Sequence, residues 1–256
     1  MKKYELSILL PTFNSEKKFI KSCLKSLKVQ TYKNFLLLVI DNNSIDNTVK
    51  LISDSGINYK IISKKDKSFN DGVNRGLQKV NSKYFTIISS DDIIKNNNYF
   101  KYLVDYLNNN NQVDIVFPDY CEIINNKFYK KTQPKEFEKI AYNIIVPGLG
   151  WVARKEVIKN SNFPLNLKAS SDYYFLLKLF TKGFVFKRLY GIYYCLRIGG
   201  NSFINAFVSF AERRNISIKF GGNKYFVYLK YYIYCLKFIV KFKILNLFSK
   251  DFDIKK

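Results

Sequence analysis

The chain has 256 residues, 47% of them hydrophobic and 17% aromatic, enough to bury a sizeable core and to exclude a disordered chain. Its formal net charge is +23, which suits anionic partners: nucleic acid, phosphorylated ligands or an anionic membrane surface. Histidine is absent, so Ser-His-Asp and Cys-His catalysis and histidine-ligated metals are excluded together, and acid–base chemistry falls to carboxylates, Lys, Tyr or Cys.

Met1-Lys2-Lys3 leads into a short apolar run that Pro11 breaks, too short for a secretory leader, so a cytoplasmic protein is expected. Leu6 to Leu10 reads as a strand ending in Pro11-Thr12-Phe13-Asn14. The helix after it carries Phe19, Ile20, Cys23, Leu24 and Leu27 at helical spacing, with Asn14 or Ser15 as its N-cap. Phe35 to Ile40 is uninterruptedly apolar, as a strand buried on both faces would be, and ends at Asp41. Asp46 can cap a helix through Val49, Leu51 and Ile52. Tyr59 to Ile62 is a third strand, a helix runs around Gly72 to Val80, and Tyr84 to Ile88 is a fourth strand ending at Ser89-Ser90-Asp91-Asp92. Later signals are sparser. Ile115 to Phe117 reads as a strand, Asn125-Asn126 as a turn before Lys127 to Lys131, and Phe175 to Phe180 as a helix that stops at Gly183.

Alternating strands and helices predict an α/β fold with a mostly parallel central sheet flanked by helices. In such sheets ligands bind beyond the carboxyl ends of the strands. Four polar clusters lie there: Thr12 to Asn14, Asp41 to Ser44, Lys64 to Asp71, and Ser90 to Asp92. Glycine-rich phosphate loops of the P-loop or Rossmann type are missing. What converges instead is carboxylate. Mg²⁺ typically takes one or two carboxylates plus substrate phosphates, and Asp91-Asp92 meets that demand; a helix N-cap is the rival use of the pair. Cys23, Cys121, Cys195 and Cys235 show no metal-binding spacing and are expected as buried free thiols.

These residues carry a resemblance. Ser7 to Asn14 is similar to the S-I-x-x-P-T-Y-N of the family 2 glycosyltransferases, and Asp41 to Thr48 to their D-G-S-S-x-D-x-T. Gln30, Asp66 to Gly76 (D-K-S-F-N-D-G-V-N-R-G) and Ser89 to Asp92 continue the match in order. Ser170 to Tyr174 and Gly199-Gly200-Asn201-Ser202 extend it more weakly. The resemblance implies an inverting enzyme of GT-A fold that uses a nucleotide-sugar, with a UDP-linked donor, and Mg²⁺ or Mn²⁺. It implies that Pro11, Thr12 and Asn14 line the nucleotide pocket, that Asp41 bonds the base with Asn43 and Ser44 nearby, and that Asp71 and Asn74 flank nucleotide and sugar. Ser90 belongs to the same donor site; Asp91 would meet ribose or metal, and Asp92 would ligate the metal.

Each residue has a structural rival. Asp41 and Asp46 can cap the next helix, Asn14 the first one, and Asp71 can pair with Arg75 four residues on. Asp66, among lysines, reads as solvated surface. Inversion needs a base for the acceptor hydroxyl. Asp172 is the candidate, with an N-cap of Tyr173 to Phe180 as its rival, and Asp119 and Glu122 are the alternatives. Ser68, Gly72 and Asn42 depart from the family pattern, and Trp151 does not sit in the Q-x-x-R-W of processive synthases.

Residues 182–256 hold 15 Lys or Arg against 3 Asp or Glu. Lys230, Lys237 and Lys241 fall on one narrow helical face amid apolar and aromatic residues, and no apolar run approaches the ~20 residues of a membrane span. An in-plane amphipathic helix on anionic headgroups is expected, with a helix packed on the catalytic domain as its rival. The expected organisation is a GT-A domain over 1–215, comprising a donor half (1–95) and an acceptor half (96–215), then a basic amphipathic helical tail over 216–256. The expected partners are a nucleotide-sugar and a glycan or lipid-linked acceptor of bacterial surface polysaccharide (O-antigen or capsule), met at the inner face of the cell membrane, and no nucleic acid. Two other readings stay open: a basic nucleic-acid-binding protein, against which stands the lack of a binding motif, and a nucleotidyltransferase.

Overall fold

The computed structural model describes residues 3–17, 19–124, 127–132, 149–197 and 205–247. The Asn125-Asn126 turn and Gly199 to Ser202 lie outside them. One eight-stranded sheet organises the chain. Its first half is β1 (Leu6–Thr12), α1 (Ile20–Lys28), β2 (Phe35–Asp41), α2 (Thr48–Ser53), β3 (Tyr59–Ser63), α3 (Phe69–Leu77) and β4 (Tyr84–Ile87). These strands are all parallel, in the order β3-β2-β1-β4. Thr12, Asp41 and Ser63 end in register, so the polar clusters share one edge.

Strand periodicity divides the apolar side chains between two cores. Leu6, Ile8 and Leu10 of β1 join Leu37 and Val39 of β2 in one, with Ile20, Cys23, Leu24 and Leu27 of α1. Leu9, Leu38 and Ile40 join the other with Val73 and Leu77 of α3. Both faces are covered, which is why β2 reads as a continuous apolar run. Gly76 permits the close approach of α3: a Cβ there would stand 2.8 Å from the Ile40 side chain. Gln30 is fully buried; its amide nitrogen donates to the carbonyls of Ser26 (3.1 Å) and Asn96 (3.0 Å), fastening the end of α1 to the loop beyond β4.

The second half adds α4 (Tyr99–Asn109), β5 (Ile115–Ile124), β6 (Lys127–Thr132), β7 (Val152–Arg154), a 3-10 helix (Lys155–Asn160), α5 (Ser171–Thr181), β8 (Phe186–Arg197), α6 (Ala206–Lys219) and α7 (Lys224–Leu247). β7 runs antiparallel between β4 and β5, β6 pairs antiparallel with β5, and β8 runs parallel to β5. The fold is therefore the expected α/β arrangement with a mostly parallel central sheet. Trp151 is a core residue, stacked on Phe175 and edge-on to Phe85. Gly183, at φ 85°, ends α5 region as expected.

Several local expectations change. The first helix begins at Ile20, not after Asn14, because Asn14 takes φ 44° and turns the chain. The third helix begins three residues before Gly72, capped by Ser68, whose hydroxyl accepts from the Asp71 N–H. Cys121 and Cys195, expected as free thiols, lie opposite each other in the β5–β8 register and form a disulfide; Cys23 and Cys235 are free. No helix among the described residues is long and apolar enough to cross a membrane.

Candidate active site

At the ends of β1 and β2 two asparagines, Asn14 (φ 44°) and Asn43 (φ 52°), occupy the left-handed region that asparagine tolerates. The turns they make face Asp41, which is 1% exposed. Its carboxylate accepts from the Ser44 N–H (3.0 Å) and the Ser44 hydroxyl (2.5 Å). The Ser44 hydroxyl in turn accepts from the Asn14 N–H (3.0 Å), and the Asn14 side chain accepts from the Ile45 N–H (3.0 Å). Asn14 thus ties the two loops together rather than capping α1. Asp46 does work at a helix start: it accepts from the Thr48 and Glu16 N–H groups. From Thr12 a row of hydroxyls crosses to the loop after β4, through Ser15 (3.0 Å) to Ser90 (3.3 Å). Pro11, at the end of β1, stays partly exposed.

The Asp66 to Gly76 segment differs from both of its expected rivals. Asp66 is not solvated: it pairs with Arg75, and its side chain is 8% exposed. A Cβ on Gly72 would come within 2.5 Å of that carboxylate, so the glycine makes the space Asp66 fills. Asp71 does not pair with Arg75; it accepts from the Lys67 N–H (3.1 Å) at the start of α3. Asn74, expected beside nucleotide and sugar, spends both ends of its amide on Phe163, donating to its carbonyl (2.7 Å) and accepting from its N–H (2.9 Å). One turn earlier, buried Asn70 donates to the carbonyls of Pro164 (2.7 Å) and Leu167 (2.8 Å) and accepts from the Ser171 hydroxyl (2.7 Å). Two asparagines of the donor half therefore hold the segment that leads to Asp172.

Asp91 and Asp92 follow β4 and are gripped by β8. Asp92, 6% exposed, accepts from the Tyr194 hydroxyl (2.8 Å) and the Arg197 N–H (3.3 Å). Arg197 Nε donates to the Asp91 carbonyl (3.0 Å), and Ile93 bridges to Cys195. The Asp91 carboxylate accepts from the Ser89 hydroxyl. Burial, followed by the charge of Asp91, pushes Asp92 up to about 8; the two hydrogen bonds only partly offset this. Two adjacent carboxylates, one buried, are a poor resting place for two negative charges and a good one for a hard divalent cation, so the donor set fits Mg²⁺ or Mn²⁺. Among the described residues no cluster of three or more His, Cys, Asp or Glu gathers, so a cation here would take further oxygens from its substrate.

The candidate base lies on α5. Asp172 lies in the first turn of α5, one residue beyond its start, and accepts from the adjacent Tyr173 N–H (2.6 Å); Ser170, not Asp172, occupies the N-cap position. Burial raises its carboxyl, against the lowering charge of Arg213. The buried Tyr120 phenol is held up by its burial and then by the charges of Asp172, Asp119 and Asp92. Asp119 is committed elsewhere: its buried carboxylate pairs with Arg188 and accepts from the Gly191 N–H (2.9 Å). Glu122 lies on β5, partly exposed, at the stretch that pairs with β6.

A model of the family described as glycosyl transferase family 2 matches residues 7–164, well over half of the chain. The chain belongs to glycosyl transferase family 2. The family 2 chain is 30% identical over 188 residues to the UDP-Glc:alpha-D-GlcNAc-diphosphoundecaprenol beta-1,3-glucosyltransferase WfgD of Escherichia coli, covering 70% of this chain and 71% of that one. It is equally similar to an uncharacterized glycosyltransferase of Haemophilus influenzae, at 30% over 184 residues, with 67% and 70% covered. Among solved structures it resembles S. aureus TarS 1-349 in complex with UDP-GlcNAc (TM-score 0.67, 20% identity, 84% of this chain and 71% of that one). It also resembles the mannosyltransferase PcManGT from Pyrobaculum calidifontis in complex with GDP-Man and Mn²⁺ (TM-score 0.67, 14% identity, 90% and 70%). The chain spans 42% of the longer TarS chain. At these identities the likeness is one of fold, the GT-A arrangement.

Tyr194, Arg197 and Asn70, which hold residues of the candidate site, are missed by sequence reasoning. The first two lie more than 100 residues from the aspartates they hold. Asn70 had one available signal: it stands inside the Asp66 to Gly76 motif, where the family pattern has tyrosine.

Proposed function

We propose that this enzyme transfers a sugar, with inversion, from a nucleoside-diphosphate sugar to a hydroxyl of a lipid-linked glycan in bacterial surface-polysaccharide assembly, at the inner face of the cell membrane. One observation carries the reading: Asp41 with its Ser44 and Asn14 partners, the Thr12-Ser15-Ser90 hydroxyls and Asp91-Asp92 occupy a single sheet edge, and Ser171, the residue before Asp172, is hydrogen-bonded to Asn70 of α3. The WfgD relative, whose name gives a UDP-sugar donor and a diphosphoundecaprenol acceptor, supports a UDP-linked donor and a lipid-linked acceptor.

In this reading Asp41 accepts a hydrogen bond from the base, with Pro11, Thr12, Asn14, Asn43 and Ser44 around it, and Asp71 lies nearer the sugar. Asn74 supports the site through Phe163. Asp91 serves ribose or metal, and Asp92 ligates the metal. A bound Mg²⁺ or Mn²⁺ supplies neutralising charge to the leaving diphosphate. Asp172 takes the proton of the acceptor hydroxyl, and burial, which raises its carboxyl, makes it a stronger base than an ordinary carboxylate.

The test is a screen of nucleotide-sugars with Mg²⁺ or Mn²⁺, scoring nucleoside diphosphate release and transfer to lipid-linked acceptors. Asp92→Asn is expected to abolish metal-dependent turnover. Asp172→Asn is expected to keep donor binding and lose about 10²–10⁴-fold in transfer. Full activity of Asp172→Asn would move the base elsewhere, and absence of turnover or binding with every donor would end the proposal.

A further inference from the structure

The last two helices are packed on one side only. α7 seats Val227, Tyr234 and Phe238 inward, where Phe238 meets Phe207 (5.5 Å) and Phe210 (5.9 Å) of α6. Arg214 of α6 lies over the rings of Tyr228 and Tyr231. On the other side Tyr225 is 86% exposed, Leu229 57%, Tyr232 62%, Ile233 40%, Leu236 64% and Val240 49%. Steps of three and four residues put these on one continuous face of a helix. One face of α7 thus packs on α6, and the opposite face is exposed.

We infer that this exposed face of α7 is a docking surface for an anionic bilayer, with the helix lying in the plane of the headgroups. Three features select that occupant. Lys230 and Lys237 flank the apolar face, and residues 224–247 contain no Asp or Glu. The face combines tyrosines (Tyr225, Tyr232) with aliphatic residues, as at an interface where one end of the ring is wet. A second copy of the chain seated face to face would bring two basic, acid-free helices together, whereas anionic headgroups complement them. At 24 residues the helix is about 36 Å long, so it can lie along the surface over its whole length.

The same α6 that seats α7 also holds the acceptor loop. Glu212 accepts from the N–H groups of Lys168 (2.7 Å) and Ala169 (3.0 Å), and the Ser170 hydroxyl donates to the Ser209 carbonyl (3.1 Å). A bilayer bound to α7 is therefore connected through α6 to the start of α5, where Asp172 lies. This second step rests on the proposed role of Asp172 and on the membrane-face reading; the identity of the docking face does not need the enzymatic assignment.

The experiment is co-sedimentation of the full chain with vesicles of phosphatidylcholine alone or rich in phosphatidylglycerol, with oligomeric state measured in parallel. Binding is expected to need phosphatidylglycerol and to weaken with salt. Leu229→Glu/Leu236→Glu should lower vesicle partitioning by at least about tenfold, while circular dichroism and nucleotide-sugar hydrolysis stay as in the parent. Lys230→Glu/Lys237→Glu should lower it on anionic vesicles. If the parent binds vesicles and the leucine variant binds as well, the face is wrongly assigned and the membrane reading survives. If the parent binds no vesicle, both fail. A parent dimer that the leucine variant turns to monomer would assign the face to a second copy instead.

Discussion

Asp92 shows how one side chain acquires a role from its surroundings. A carboxylate next to another carboxylate, buried and held by Tyr194 and Arg197, is oriented before any cation arrives. Tyr194 is itself located by its other contacts: its hydroxyl accepts from the Ser89 N–H, and its ring packs where only a glycine fits, at Gly150 with φ 89°. Tyr194→Phe should therefore leave the fold intact, at a cost of about 1–3 kcal/mol, since Asp92 and the Ser89 N–H each lose a partner. It should weaken Mn²⁺ binding in the presence of UDP by about tenfold, read by calorimetry or electron paramagnetic resonance. At Asp172 the sign of a pH effect can be worked out. Its folded carboxyl is raised, so it contributes stability below the ordinary carboxylate value of 3.8, and that stability is lost as pH rises through the raised value. Asp172→Asn should have the higher Tm at neutral pH, and the two proteins should converge as pH falls below 3.8. In the parent enzyme the acid limb of kcat/KM should lie above the ordinary carboxylate range for the same reason.

Among the elements, α3 and β8 join the two halves. Asn70 and Asn74 sit one turn apart on α3 and hold residues 163–171. Asn70→Ala removes three hydrogen bonds at a buried position, so a loss of about 1–3 kcal/mol is expected. If Asp172 is the base proposed above, the catalytic signature should be a lower kcat with the donor KM unchanged, because Asp172 is displaced and the loops after β1 and β2 are not. A matched fall in donor affinity would show that Asn70 acts on the nucleotide side. β8 reaches the aspartates through a bulge. The register moves from Pro118↔Leu189 to Asp119↔Tyr193, and the residues between are fixed by the Arg188–Asp119 pair and by Gly191 at φ 77°. This extra length re-aims Tyr194, Cys195 and Arg197 at the loop after β4.

For the whole molecule the dominant quantity is the net charge of +23. Such a charge keeps copies apart and strains the compact state through self-repulsion. Raising ionic strength from a few millimolar to physiological levels shortens the screening length to about 8 Å, and the Tm of the free protein should rise by several degrees. The opposite slope, a Tm falling with salt, would mean that the ion pairs outweigh the repulsion. Vesicle binding should respond to the same salt in the other direction, because there the charge is attractive.

The parallel half of the fold was legible in the chain because each signal is local. An apolar run long enough to be a doubly buried strand, followed by a polar cluster and an amphipathic helix, repeats until Asp91-Asp92, and register then brings the clusters to one edge. What stayed illegible is what depends on distant partners. β7 is only three residues long, and β8 carries a glycine and several charges that interrupt its alternation, so neither announces itself as a strand. The α7 sequence is apolar nearly all round, and nothing in it says which face meets α6 and which meets solvent. Asp66 and Asp119 read as surface or as candidate bases until tertiary contact gives them Arg75 and Arg188. The residue types needed for the chemistry were determined by the sequence alone. Their partners, and hence their charge, burial and aim, were decided by the tertiary structure, because a buried carboxylate takes its properties from groups that can lie more than a hundred residues away.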